Sequence, residues 1–194
     1  MADIQYNFIN LPSRIEFENG HVISYLYDAD GIKLRTTHII GSDTTVTDYC
    51  GNVIYENGIP VKLLTEAGYV TLADSKYHYF VQDHLGNNRV VVDQSGNVEE
   101  VNHYYPFGGL LSSSVSNAVQ PYKYNGKELD RKNGLDWYDY GACMYDAALG
   151  RWHAVDPMSE KYYSWSPYTY CMGNPINHID PDGNTVAVSY THLR

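Results

Sequence analysis

Through residues 4 to 109 the chain alternates short apolar runs with polar clusters, and the runs keep the two-residue period of a half-buried strand. Val22 to Tyr27, Lys33 to Ile40, Val61 to Thr65, Tyr77 to Gln82 and Arg89 to Asp93 are such runs, parted by turn pairs such as Asn19-Gly20 and Asn57-Gly58. No stretch here holds helical periodicity for about ten residues. Five Asp-x-x-Gly units punctuate the chain, at Asp28 to Gly31, Asp48 to Gly51, Asp83 to Gly86, Asp93 to Gly96 and Asp180 to Gly183. In a type I turn Asp at the first position bonds the turn's own backbone, and Gly at the fourth accepts a positive φ. Turn spacing varies from 10 to 35 residues, so the repeat is degenerate. The pattern predicts a mainly β protein of consecutive antiparallel hairpins in a curved sheet, with under about a fifth of the chain helical. Tyr6 to Pro12 reads as one more strand of the series.

The Ser-rich stretch Leu111 to Asn117 is the best internal boundary. Beyond it the texture changes. Tyr122 to Asp130 suggests a strand entering a turn, and Leu135 to Asp146 a hairpin centred near Gly141. Glu160 to Tyr163 and Pro167 to Cys171 each suit about one helical turn. The expected division is a repeat sheet over 1–110, a loop over 111–121, a β-rich plug with one or two short helices over 122–184, and an unstructured tail over 185–194. Ala187 to Arg194 reads as an in-frame translation of a sequencing-library adapter.

Composition changes the picture in two ways. Twenty tyrosines against four phenylalanines favour sheets whose faces are half dry, where each phenol still finds a polar partner, over an oily globular core. A formal charge of −10 excludes nucleic-acid and anionic-membrane binding as partners. No segment approaches the ~18 apolar residues of a membrane span, and Met1 to Tyr6 lacks the pattern of a signal peptide, so no membrane insertion is expected. Cys50, Cys143 and Cys171 are odd in number and far apart, which suits buried thiols better than disulfides or zinc. His78, His84, His103, His153 and His178 show no metal-ligand spacing, and no cofactor is implied.

One ordered series is specific. Gly126-Lys127-Glu128, Asp136 to Ala142, Met144-Tyr145-Asp146, Leu149 to Trp152, Asp156-Pro157, Ser166-Pro167-Tyr168, Asn174-Pro175 and Ile179 to Gly183 together resemble the RHS repeat-associated core domain in its Bacteroidetes-like form. The upstream units resemble the YD repeats that precede that core, so the likeness covers about 4 to 184. It is similar to the shell of RHS toxins and to the C component of Tc toxins. The resemblance implies a wound β-sheet cage whose core closes one end and marks where a variable C-terminal toxin domain begins. It also implies upstream YD repeats as partners, a chain that is a fragment of a larger exported protein, and an extracellular or cell-surface location.

In relatives of this family the core cuts its own chain just past the second Asp-Pro-x-Gly, and the resemblance carries that role to Asp156, Asp180 and Arg151. Two carboxyls in contact cannot both ionise cheaply, so one keeps a proton as acid while the other activates water. Arg151 would hold one of them ionised. Ser159 and Asn184 depart from the family pattern. The alternative is that both aspartates simply start turns. Three functions stay open: a structural shell segment, a self-cleaving aspartyl protease acting once after about residue 184, and a carbohydrate-binding surface built on Trp137, Trp152 and Trp165.

Overall fold

The computed structural model describes residues 3–112, 114–116 and 120–188. It is mainly β, 46 % strand and 7 % helical. Two compact units emerge, the first running to Tyr79 with Asp93–Ser95, the second holding Phe80–Val92 and everything from Gly96 onward. This division falls earlier than the Ser-rich loop.

In the first unit the strands are β1 (Asp3–Tyr6), β2 (Pro12–Glu16), β3 (Val22–Tyr27), β4 (Lys33–Ile40), β5 (Asp43–Cys50), β6 (Val53–Glu56), β7 (Ile59–Thr65) and β8 (Gly68–Thr71). Each pairs antiparallel with the next, and β8 pairs with the start of β9 (Lys76–Gln82). The Asp28 to Gly31 turn forms as its chemistry requires. Asp28 Oδ1 accepts the amides of Asp30 at 2.9 Å and Ile32 at 2.8 Å, and Gly31 takes the positive φ of 85°. Ile15, Ile23 and His38 stand opposite one another across three strands, and all three are buried. One face of the meander is therefore dry, each buried aliphatic adding roughly 1.5–3 kcal/mol. On β8 and β9, Tyr69 stacks on His78 with ring centroids 4.4 Å apart, and Thr71 Oγ1 bonds the imidazole at 2.9 Å.

Two readings of this region are corrected. Asp48 starts no turn; it lies inside β5 opposite Arg35, and the two side chains pair at 2.5 Å. A cross-strand cation outcompetes the turn backbone there. Tyr6 to Pro12 is not one strand: Tyr6 ends β1, Pro12 begins β2, and residues 7–11 connect them, because Asn7 Oδ1 accepts the amides of Ile9 and Leu11 and bends the chain.

The second unit contains β10 (Asn88–Asp93) as far as Val92, β11 (Val98–Val101) and β12 (Val115–Ser116) in antiparallel order. A four-stranded sheet follows, made of β13 (Glu128–Asp130), β14 (Trp137–Asp139), β15 (Met144–Asp146) and β16 (Arg151–Trp152). The hairpin expected near Gly141 is the β14–β15 pair, with Gly141 at φ 95°. The helical expectation at 160–163 is met by one 3-10 turn at Ser159–Lys161; the turn expected from Pro167 forms later, at Cys171–Gly173, and two more stand at Tyr124–Gly126 and Lys132–Gly134. Last come β17 (His178–Ile179) and β18 (Ala187–Val188), which pair antiparallel. Ala187 and Val188 are thus in a strand, contrary to the expectation for the tail; residues 189–194 lie outside the described residues.

The tyrosine reading fails in this unit. Tyr124, Tyr138, Tyr140, Tyr145 and Tyr170 are at most 2 % exposed and, with Trp152, Leu129, Cys143 and Cys171, form its core. Their hydroxyls make such burial possible. Tyr124, Tyr145 and Tyr138 donate to three successive carbonyls, Pro106 at 2.9 Å, Phe107 at 2.8 Å and Gly108 at 2.9 Å. Tyr140 and Tyr170 both donate to Asn125 Oδ1, at 2.7 and 2.8 Å. A phenol that keeps its hydrogen bond is buried as cheaply as Phe and positions a loop as well.

Candidate functional site

The second unit grips its own chain at Asp180–Gly183. Asp180 is fully buried, and its Oδ1 accepts the amides of Gly183 at 2.7 Å and Asp182 at 3.2 Å. Ala142, in the β14–β15 turn, donates to Asp182 O at 3.2 Å, and Lys127 Nζ reaches Pro181 O at 2.5 Å. Gly183 closes the clamp. A Cβ at this position would stand 3.0 Å from Cys143 N and 3.2 Å from Tyr140 Cβ, and φ is 78°. Gly183→Ala should therefore cost about 1–3 kcal/mol, read as a lowered denaturant midpoint at unchanged m-value.

Asp156 is also buried, its Oδ1 accepting the amide of Met158 at 2.7 Å while its own amide donates to Pro167 O at 2.9 Å. Burial pushes both carboxyls above the usual carboxylate range, and the Asp182 charge adds to it in each case. Asp156 lifts Asp180 further, so the two share one electrostatic neighbourhood. Among the described residues no hydrogen bond joins the two carboxyls, and Asp180 Oδ2 has no partner. Both aspartates do serve as turn starters, and both are also buried acids held toward their protonated form.

Arg151 is exposed on β16, back to back with buried Trp152, and among the described residues its guanidinium pairs with neither aspartate. The cation beside Asp180 is Lys127. Burial lowers its ammonium, while Asp139, Asp180 and Asp182 hold it up, and it also lies over the Tyr140 ring at 5.1 Å. Its place in Gly126-Lys127-Glu128 was the available signal. Cys143 is the buried thiol that the sequence suggested, and it lies in the same electrostatic neighbourhood. Burial and then the charges of Asp156 and Asp180 push its thiol up to about 12, so it stays protonated and is no nucleophile. Trp137 and Trp152 are buried and only Trp165 is exposed, so the three indoles form no common sugar-stacking face. Among the described residues no group of three or more His, Cys, Asp or Glu is placed to hold a metal.

A hairpin meander with Asx turns, followed by a tyrosine-cored unit that holds its outgoing chain, defines a YD-type shell domain. The sequence profile of the teneurin YD-shell family matches residues 63–175, more than half of the chain, and the chain belongs to that family. Salivary gland surface protein 1 of Aedes aegypti is 32 % identical over 88 % of this chain and 6 % of its own. Toxin subunit YenC1 of Yersinia entomophaga is 29 % identical over 71 % of this chain and 15 % of its own. The tRNA3(Ser)-specific nuclease WapA of Bacillus spizizenii is 28 % identical over 87 % and 7 %. This chain thus spans a small part of the relatives it matches. In a crystal structure of TcdB2-TccC3-Cdc42 the same fold recurs with a TM-score of 0.77 at 19 % identity, over 94 % of this chain and 10 % of that one. A structure of TcdB2-TccC3 without its hypervariable C-terminal region matches at 0.75 and 19 %, over 93 % and 10 %.

Proposed function

We propose that this chain is the closing segment of an RHS-type shell, which encloses or presents a polypeptide continuing past residue 184, at the cell surface or outside the cell. Its partners are further YD repeats and that following domain. The observation that carries the reading is the clamp on Asp180–Gly183, which holds the main chain by two backbone carbonyls and a buried carboxyl immediately before that point. A tag placed in the continuing segment of the full-length protein should resist protease until the shell is unfolded. Digestion of the tag in the native protein at the rate of a free peptide would overturn the reading.

A second reading, one self-cleavage after about residue 184, is favoured by the two buried, proton-retaining carboxyls. Asp180 Oδ2 is unpartnered and free to take a proton or hold a water, and Asp156 supplies the second acid. Mass spectrometry of a chain with a tagged extension should show a single release. Asp156→Asn and Asp180→Asn should abolish it, Lys127→Ala should slow it, and Arg151→Ala should leave it unchanged. Release that persists in both Asn variants removes these aspartates from catalysis.

A further inference from the structure

Away from the aspartates, the second unit buries a lysine, a glutamate and two amides together. Lys123 and Glu100 are 4 % and 1 % exposed at their side chains, and Nζ lies 2.5 Å from Glu100 Oε1. The same oxygen accepts from Gln120 Nε2 at 3.0 Å and from Asn102 Nδ2. Asn102 is fully buried and its Nδ2 also donates to Asn88 O at 3.1 Å. One carboxylate oxygen therefore takes three donors, while Glu100 Oε2, Asn102 Oδ1 and Gln120 Oε1 have no partner. A buried network in which one acceptor is oversubscribed and three go unused is poor as a purely structural device.

The backbone explains how the groups meet. Glu100 lies on β11 opposite buried Val91, and Asn102 follows two residues on, toward the same side. The Asn102 amide continues the ladder by donating to Arg89 O at 2.7 Å. Lys123 is delivered from a distant part of the chain and pinned by Asn88, whose amide donates to Lys123 O at 3.0 Å and whose Nδ2 donates to Tyr122 O at 2.9 Å. Because both bond one oxygen, Lys123 Nζ and Asn102 Nδ2 stand no more than about 5 Å apart.

We propose that Lys123 and Asn102 become joined by an intramolecular isopeptide bond, formed by the folded chain itself with Glu100 as the proton shuttle. In so dry a pocket the ion pair is costly, and moving one proton from the Lys123 ammonium to Glu100 leaves a neutral amine and a neutral acid. Burial lowers the lysine, which favours that transfer, while the Glu100 hydrogen bond opposes it. The acid then pairs with the amide: Oε2–H donates to Asn102 Oδ1, which uses two of the three unpartnered oxygens and polarises the carbonyl. Lys123 Nζ attacks Asn102 Cγ and forms a C–N bond. Glu100 relays a proton from the attacking nitrogen to the departing Nδ2, the old C–N bond breaks, and ammonia leaves. The ammonia takes the remaining proton from Glu100 and departs as ammonium. No oxidant, metal or nucleotide is needed. The product ties β11 to the segment that begins the plug.

The test is mass spectrometry of the full chain, intact and after denaturation and chymotryptic digestion, which cuts after Tyr104 and Phe107 between the two residues. The intact protein should be lighter than its sequence by one ammonia, and the digest should contain the Lys123 and Asn102 peptides as one covalently joined species. Glu100→Gln, Lys123→Ala and Asn102→Ala should each restore the full mass and separate peptides. A wild-type protein at full sequence mass overturns the proposal. So does an ammonia loss confined to the Asn102 peptide alone, which marks a succinimide, or a bond located at Gln120.

Discussion

Trp152→Ala should destabilise the protein by about 3–5 kcal/mol, among the largest effects of any single truncation in it. Trp152 stands in edge-on contact with three tyrosines, its ring centroid 5.2 Å from Tyr140, 5.6 Å from Tyr145 and 5.2 Å from Tyr170. Removing it opens a cavity walled by phenols whose hydroxyls are already committed to Asn125 and Phe107. Those rings cannot collapse inward without breaking a hydrogen bond, so the cavity term applies in full. Trp152→Phe should cost far less, about 1–2 kcal/mol, because the indole Nε1 has no partner and its loss strands nothing. Urea unfolding of the two variants decides the matter. A Trp152→Phe penalty as large as that of Trp152→Ala would mean that the indole N–H matters more than the packing.

That core was only half legible in the sequence. Turn chemistry is local, so Asp28, Asp83, Asp93 and Asp180 could be read as turn starters directly, and each accepts an amide two residues on. Asp48 could not, because its partner Arg35 is thirteen residues away and only the strand register brings it there. The same limit hid Lys127, whose tie to Pro181 spans fifty-four residues, and the Lys123–Glu100 pair, which spans twenty-three. Tyrosine misled for a related reason. Composition shows a ring with a polar tip, but whether that tip can be buried depends on a carbonyl from a distant loop, here Pro106, Phe107 and Gly108. Motif spacing singled out Asp156 and Asp180, and both are buried acids, the charge of the first raising the proton affinity of the second. It could not show that Arg151, one residue from a buried tryptophan on a strand, is exposed and pairs with neither of them among the described residues.

Asp180 should make the protein gain stability, relative to Asp180→Asn, as the pH is lowered from neutrality. Burial, and then the charges of Asp182 and Asp156, raise its folded proton affinity above that of the unfolded chain, where an aspartate titrates near ~3.9. The fold thus binds the proton more tightly than the unfolded state does. The stabilisation from this group is complete below the unfolded value and is lost as pH rises through the folded one, the reverse of a salt-bridged aspartate. Asp156, raised by burial and by Asp182, acts in the same direction. Asp180→Asn keeps the oxygen that holds the amides of Asp182 and Gly183 but removes the buried charge, so near neutral pH it should be at least as stable as the parent. Asp180→Ala discards that oxygen and leaves two amides without their acceptor, and should cost about 1–3 kcal/mol for each that stays buried. Urea titrations of the parent and Asp180→Asn across neutral to mildly acidic pH give the difference curve. It should favour the Asn variant at neutral pH and shrink steadily on acidification. A flat curve would show that the fold does not raise the proton affinity of Asp180, and one that grows toward acid that it is ionised and stabilised there; either would remove the proton-holding acid on which the proposed self-cleavage rests.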